Sequence, residues 1–144
     1  LDQSAAAFYG DFGKASDSLS SEPVKHMSKV TRHILSGIDY NRAQWVRERN
    51  FYYLHAQLKT SNLLNLDLDN ISGPMIYPYL TDDANLRQRL IASKIYVATY
   101  WPELKGHIEK TSVEGKLVDY LLPLPIDQRY TIKDMKKIID ISNA

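Results

Sequence analysis

The sequence predicts an α/β (α+β) domain: a small three-stranded mixed or antiparallel sheet covered by helices and preceded by a long helix. Three observations carry this. Apolar residues recur at helical spacing through the early part of the chain. After residue 61, short strand-like runs bounded by glycine and proline alternate with helical stretches. A chain of 144 residues with 44% hydrophobic content holds one substantial core. Three strands are too few for a doubly wound nucleotide-binding sheet.

Taken in order, residues 1–27 read as an irregular N-terminal arm, rich in serine and carrying Gly10 and Gly13, with a short helix near Ala5 to Tyr9. Such an arm needs another surface to become ordered. Residues 28–60 read as linking helices. In the first, Met27, Val30, Ile34 and Ile38 recur as one helical face, with Ser28 as N-cap and Gly37 as stop or kink. The second runs from about Asp39 to Lys59, with Phe51, Leu54 and Leu58 as its apolar stripe. Arg42, Arg47, Glu48 and Arg49 keep much of its circumference polar. A long helix of this kind either bridges two bodies or shows water an ordinary solvated face.

Residues 61–144 read as the α/β body. Met75 to Leu80 follow Gly73-Pro74 as a strand, and Thr81-Asp82-Asp83 open a helix that buries Leu86, Leu90 and Ile91. Ile95 to Thr99 read as the second strand, residues 112–120 as a short helix, and Leu121 to Ile126 as a third strand. Its Pro123 and Pro125 suit a sheet edge or a strand's exit. Thr131 and Asp134 have the spacing of a capping box, and Met135, Ile138, Ile139 and Ser142 trace the inner face of the final helix.

Composition removes several functions. A formal charge of +1 gives no field for nucleic acid or an anionic membrane. The chain lacks a long apolar run and the pattern of a signal peptide, so the expectation is a cytoplasmic protein with no membrane partner. Without cysteine there is no disulfide scaffold, thiolate zinc site or thiol nucleophile. A first residue of Leu1 rather than methionine suggests a piece of something longer.

Motif by motif, little chemistry survives. His26, His33, His55 and His107 show no i, i+4 pairing, so no metal is expected. Asp67-Leu68-Asp69-Asn70 begins like a calcium loop but continues with Ile71 at a ligand position and ends with Pro78 in place of the bidentate glutamate. Asp11-Phe12-Gly13 has no other kinase element beside it, and Asn70-Ile71-Ser72 has no secretory route. No G-x-S-x-G, G-x-x-x-x-G-K or G-x-G-x-x-G occurs.

Two candidate sites remain. Tyr100 and Trp101 place two large aromatics with polar tips just past a strand, where loops carry binding groups; the alternative is that both rings pack on the core. Arg129, in Asp127-Gln128-Arg129-Tyr130, has the fork to hold a carboxylate, or is an ordinary surface arginine. No catalytic, cofactor-binding or metal-binding residue is assigned.

Four segments occur in a telling order: Arg47-x-Arg49-Asn50-x-x-Tyr53-Leu54-x-x-x-Leu58, Ile95-Tyr96-Val97-Ala98-Thr99-Tyr100-Trp101-Pro102, Leu122-Pro123-Leu124-Pro125-Ile126-Asp127, and Thr131 to Ile139. Over roughly residues 28–142 the chain resembles the C-terminal part of the DegT/DnrJ/StrS-type sugar aminotransferases. The resemblance implies a fold-type-I aminotransferase that uses pyridoxal phosphate (PLP) to move an amino group onto a keto sugar. It also implies that the cofactor's lysine, the acid on its pyridine nitrogen and most phosphate contacts lie in an N-terminal large domain outside this chain. This chain would then be the small domain, inactive alone and binding no cofactor itself, with that large domain as partner in a homo-oligomer.

Tyr100 and Trp101 would line the site for a small-molecule substrate, and Arg129 would meet the amino donor's carboxylate. Tyr100-Trp101-Pro102 stands where the family commonly has a histidine-containing segment, so the implied substrate is a keto sugar or a related carbonyl compound. A reading of another class is a non-catalytic assembly domain that self-associates through its helices. An apolar surface left bare would drive self-association under either reading.

Overall fold

A computed structural model describes residues 9–144, and the chain divides into two compact units, Leu1–Ile38 and Asp39–Ala144. In the first unit, helix α1 spans Tyr9–Ser18 and a 3-10 turn follows at Leu19–Ser21. Residues 9–21 of the arm are therefore helical, where an irregular arm was expected. Its serines close it, since the hydroxyls of Ser18, Ser20 and Ser21 donate back to the carbonyls of Ala15, Asp17 and Ser18. The helix expected near Ala5 lies largely outside the described residues.

Helix α2, Lys29–Ser36, starts as expected, with Ser28 Oγ accepting from Thr31 N at 3.0 Å, and stops at Gly37. Its apolar face is not core. Met27, Val30, Ile34 and Ile38 are 42% to 70% exposed. Helical spacing reports which residues share a face, whereas burial requires a second surface, which spacing does not specify.

In the second unit, helix α3 spans Tyr40–Leu58, capped by Asp39 Oδ1 accepting from Arg42 N at 2.9 Å. It buries Val46, Asn50, Phe51, Leu54 and Leu58. Strands β1, Ile76–Leu80, and β2, Leu121–Pro125, pair antiparallel with Pro78 opposite Pro123. Among the described residues each strand has a single neighbour, which is why both tolerate proline: one side of each has no ladder to feed.

Helix α4, Leu86–Ala92, buries Leu86 and Leu90, whereas Ile91 is exposed. Helix α5, Val113–Tyr120, runs directly into β2. Helix α6, Ile132–Ser142, carries the capping box of Thr131 and Asp134 and packs on α3 and α4. Phe51, Leu54, Leu58, Tyr77, Leu90, Leu124, Ile126, Met135 and Ile138 form the centre of the core.

The sheet is antiparallel but has two strands among the described residues. Ile95 to Thr99 alternates like a strand, with Ile95 and Val97 buried and Tyr96 exposed, yet joins no ladder. It is held instead by a side chain: Arg87 Nη1 donates to the carbonyls of Val97 at 3.1 Å and Ala98 at 2.8 Å.

Candidate functional site

The segment holding Tyr100 and Trp101 is positioned from both ends. At its start Lys94, at φ 63, turns the chain out of α4 while Ile95 N donates to Leu90 O at 2.9 Å. In its middle, the Arg87 guanidinium donates to Val97 and Ala98, and its Nη2 reaches Leu121 O at 2.9 Å, tying the segment to the first residue of β2. Five donors in a planar fork suit this three-carbonyl clamp. Burial pulls the Arg87 pKa down from its ordinary value.

At its far end Tyr100 and Trp101 stand edge to face, ring centroids 5.6 Å apart. Trp101 is 47% exposed, so the rings are not core. Its backbone is left-handed at φ 52, which for a bulky residue costs roughly 1–2 kcal/mol. The strain turns the chain into a 3-10 turn at Pro102–Leu104, closed by Leu104 N donating to Trp101 O at 3.0 Å. Strain of this kind collects where a side chain must be presented in one direction.

Arg129 is placed differently from the expectation of a free fork. Its Nε donates to Asp127 Oδ1 and its Nη2 to Asp127 Oδ2, each at 2.9 Å. The bidentate position a ligand carboxylate would take is thus filled by the chain's own carboxylate. The Arg129 hydrogen bond holds Asp127 below the usual carboxylate range, and Asp127 in turn raises the Arg129 pKa. Among the described residues no hydrogen bond or ring contact joins Arg129 to Tyr100 or Trp101.

Arg87 is not marked by the sequence, and Asn50 is marked there only as part of a resembling segment, without a role. Asn50 is fully buried; its Nδ2 donates to the carbonyls of Ile126 at 3.2 Å and Tyr130 at 3.1 Å, and its Oδ1 accepts from Arg49. Arg47 Nε adds a bond to Gln128 Oε1 at 3.0 Å. Helix α3 therefore holds the Asp127 to Tyr130 turn in place. The signal was present, because Asn50 falls in helical register with Val46 and Leu54 on the face that becomes core.

His55 lies beside Tyr77 Oη at 3.3 Å and stacks on Phe51; burial lowers its pKa. Among the described residues no group of His, Asp and Glu is arranged to hold a metal, and no helix is long and apolar enough to cross a membrane. Every lysine of the chain is solvent-exposed. A lysine that anchors PLP is activated by desolvation or by a neighbouring cation in an enclosed site.

No family model matches the sequence, and no curated protein matches it. Among solved structures, a DegT/DnrJ/EryC1/StrS aminotransferase from Brucella abortus superposes with a TM-score of 0.56 at 19% identity over 70% of this chain. The chain shares its fold with part of that enzyme. It spans 30% of that enzyme's length.

Proposed function

We propose that this chain is the C-terminal small domain of a PLP-dependent aminotransferase acting on a keto sugar or a related carbonyl compound. The carrying observation is the shared fold with a DegT/DnrJ/EryC1/StrS aminotransferase over 30% of that enzyme. Three of the segments that resemble the family are braced together here: Asn50 of the first bonds to Ile126 of the third, and Arg87 ties the second to Leu121, just before the third.

PLP would supply the electron sink, held by residues outside this chain. This chain's part is positioning. Tyr100 and Trp101, presented at the end of a braced segment, would line the substrate site and exclude water from it. Arg129 would contact a donor carboxylate only by giving up Asp127, which makes it a switchable contact.

The test is the full-length gene product, assayed with PLP and a panel of amino donors and keto sugars. Trp101→Ala should raise KM or lower kcat by about tenfold, equivalent to about 1.4 kcal/mol of lost binding, while leaving cofactor content unchanged. Unaltered kinetics would remove Trp101 from the site.

One observation favours a second reading, a self-associating assembly domain: the bare apolar face of Met27, Val30, Ile34 and Ile38. Polar replacement of Val30 and Ile34 that dissociates an oligomer of a gene product without PLP-dependent activity would favour that reading.

A further inference from the structure

Downstream of Trp101 the chain folds back onto α5, and the fold-back leaves a cleft of about 360 Å³. Its outer wall is built from tight turns. The 3-10 turn at Pro102–Leu104 is followed by Gly106 at φ +84, with His107 N donating to Leu104 O at 3.0 Å. The turn ahead of α5 is closed by Ser112, whose Oγ donates to Glu109 O at 2.7 Å and accepts from Gly115 N at 3.0 Å.

Gly115 lets this turn lie directly on the helix, since a Cβ there would stand 2.2 Å from Glu109 O. The cleft is therefore shaped by hydrogen bonds within its own turns, which exist before any ligand arrives.

Its chemistry is two-sided. Leu104, Ile108 and Val118 give it an apolar surface, while Lys105, Lys110 and Asp119 supply charge. Lys105 meets Asp119 only at 4.0 Å. The nearby Glu109 carboxylate is turned to the Thr111 hydroxyl at 2.5 Å. Lys105 is thus matched with Asp119, and Lys110 is the lining cation with no carboxylate at ion-pair distance among the described residues. A volume near 360 Å³ lies at the lower end of the range for small-molecule sites, about 300–1,000 Å³.

We propose that this cleft binds a small amphipathic monocarboxylate, its apolar body on Leu104, Ile108 and Val118 and its carboxylate on Lys110. A phosphate monoester fits less well: its second negative charge would find no further free cation and would face Asp119. The inference stands on the geometry of residues 102–119 and is independent of the aminotransferase reading.

Amide NMR titration of the chain with hexanoate tests it, with hexanol, acetate and hexyl phosphate as comparison probes at matched ionic strength. Hexanoate should shift the Lys110 and Val118 amides saturably, with hexanol, acetate and hexyl phosphate each at least about tenfold weaker. Lys110→Gln, on an exposed side chain, should weaken hexanoate by about fivefold or more without altering the rest of the spectrum. Absence of saturable shifts, shifts centred elsewhere, or hexanol binding as well as hexanoate would overturn the proposal. So would tighter binding of hexyl phosphate, which would make the cleft a phosphate site.

Discussion

Replacing Asn50 with alanine removes the amide that ties α3 to the end of β2 and the turn before α6, and its cost follows from the bonds lost. The Nδ2 group donates to two carbonyls, Ile126 O and Tyr130 O, in a place with no exposed surface on Asn50 itself. A buried acceptor left without a donor costs about 1–3 kcal/mol. The Tyr130 bond is only partly buried and can be regained from water, so the expected total is about 2–4 kcal/mol. Arg49 loses its bonds to Oδ1 at little cost, because its guanidinium also lies over the Trp45 ring, 5.1 Å from the centroid.

The assay is urea unfolding, read as a shift in midpoint at constant slope. Asn50→Asp keeps the shape but turns an acceptor toward both carbonyls, so at neutral pH it should be worse than alanine. An alanine variant within about 0.5 kcal/mol of the wild type, in the range of an ordinary surface substitution, would refute the reasoning.

Four further outcomes follow from the same geometry. Arg87→Lys should fail to rescue Arg87→Ala, because an ammonium cannot span three carbonyls, and amide exchange of residues 97–101 should accelerate in both variants. Trp101→Gly should be more stable than Trp101→Ala by about 1 kcal/mol, since glycine adopts the left-handed backbone freely; the reverse order would mean that φ 52 carries no strain. Asp83, Asp127 and Asp134 are all held below the usual carboxylate range, chiefly by hydrogen bonds from Arg89, Arg129 and Thr131. Their folded pKa values are depressed, so their stabilisation is present above the unfolded value of about 4 and lost as pH falls below it. His55, also depressed, adds a step with the same sign: stability declines as pH drops below about 6.5, and His55→Gln removes that step from the midpoint-against-pH curve.

The parts of the fold legible in the sequence are those set by neighbours along the chain. Ser28, and the pair Thr131 and Asp134, are helix starts whose donors lie within three residues, and Phe51, Leu54 and Leu58 share a face by helical geometry alone. What was not legible depends on distant groups. Ile95 to Thr99 has the alternation of a strand, but ladder membership is decided by what lies alongside, and Arg87 lies there. The α2 stripe has a correct period, but period alone does not bury it.

The candidate site divides in the same way. Tyr100 and Trp101 emerged from their place after an apolar run, and the structure presents both at the surface. The Arg129 fork was visible, but its occupation by Asp127 was not, although the two are separated by one residue. Whether two residues so close pair bidentately depends on the turn between them, which Asn50 and Arg47 hold from 80 positions away along the chain.

On the proposed function, these residues complete an aminotransferase whose cofactor is anchored elsewhere in the polypeptide. Borohydride reduction of the PLP-loaded, full-length gene product, followed by peptide mapping, addresses it directly. The account predicts a stoichiometric pyridoxyl label on one lysine outside residues 1–144. A label on any lysine of this chain, or a gene product that takes up no PLP, would contradict it.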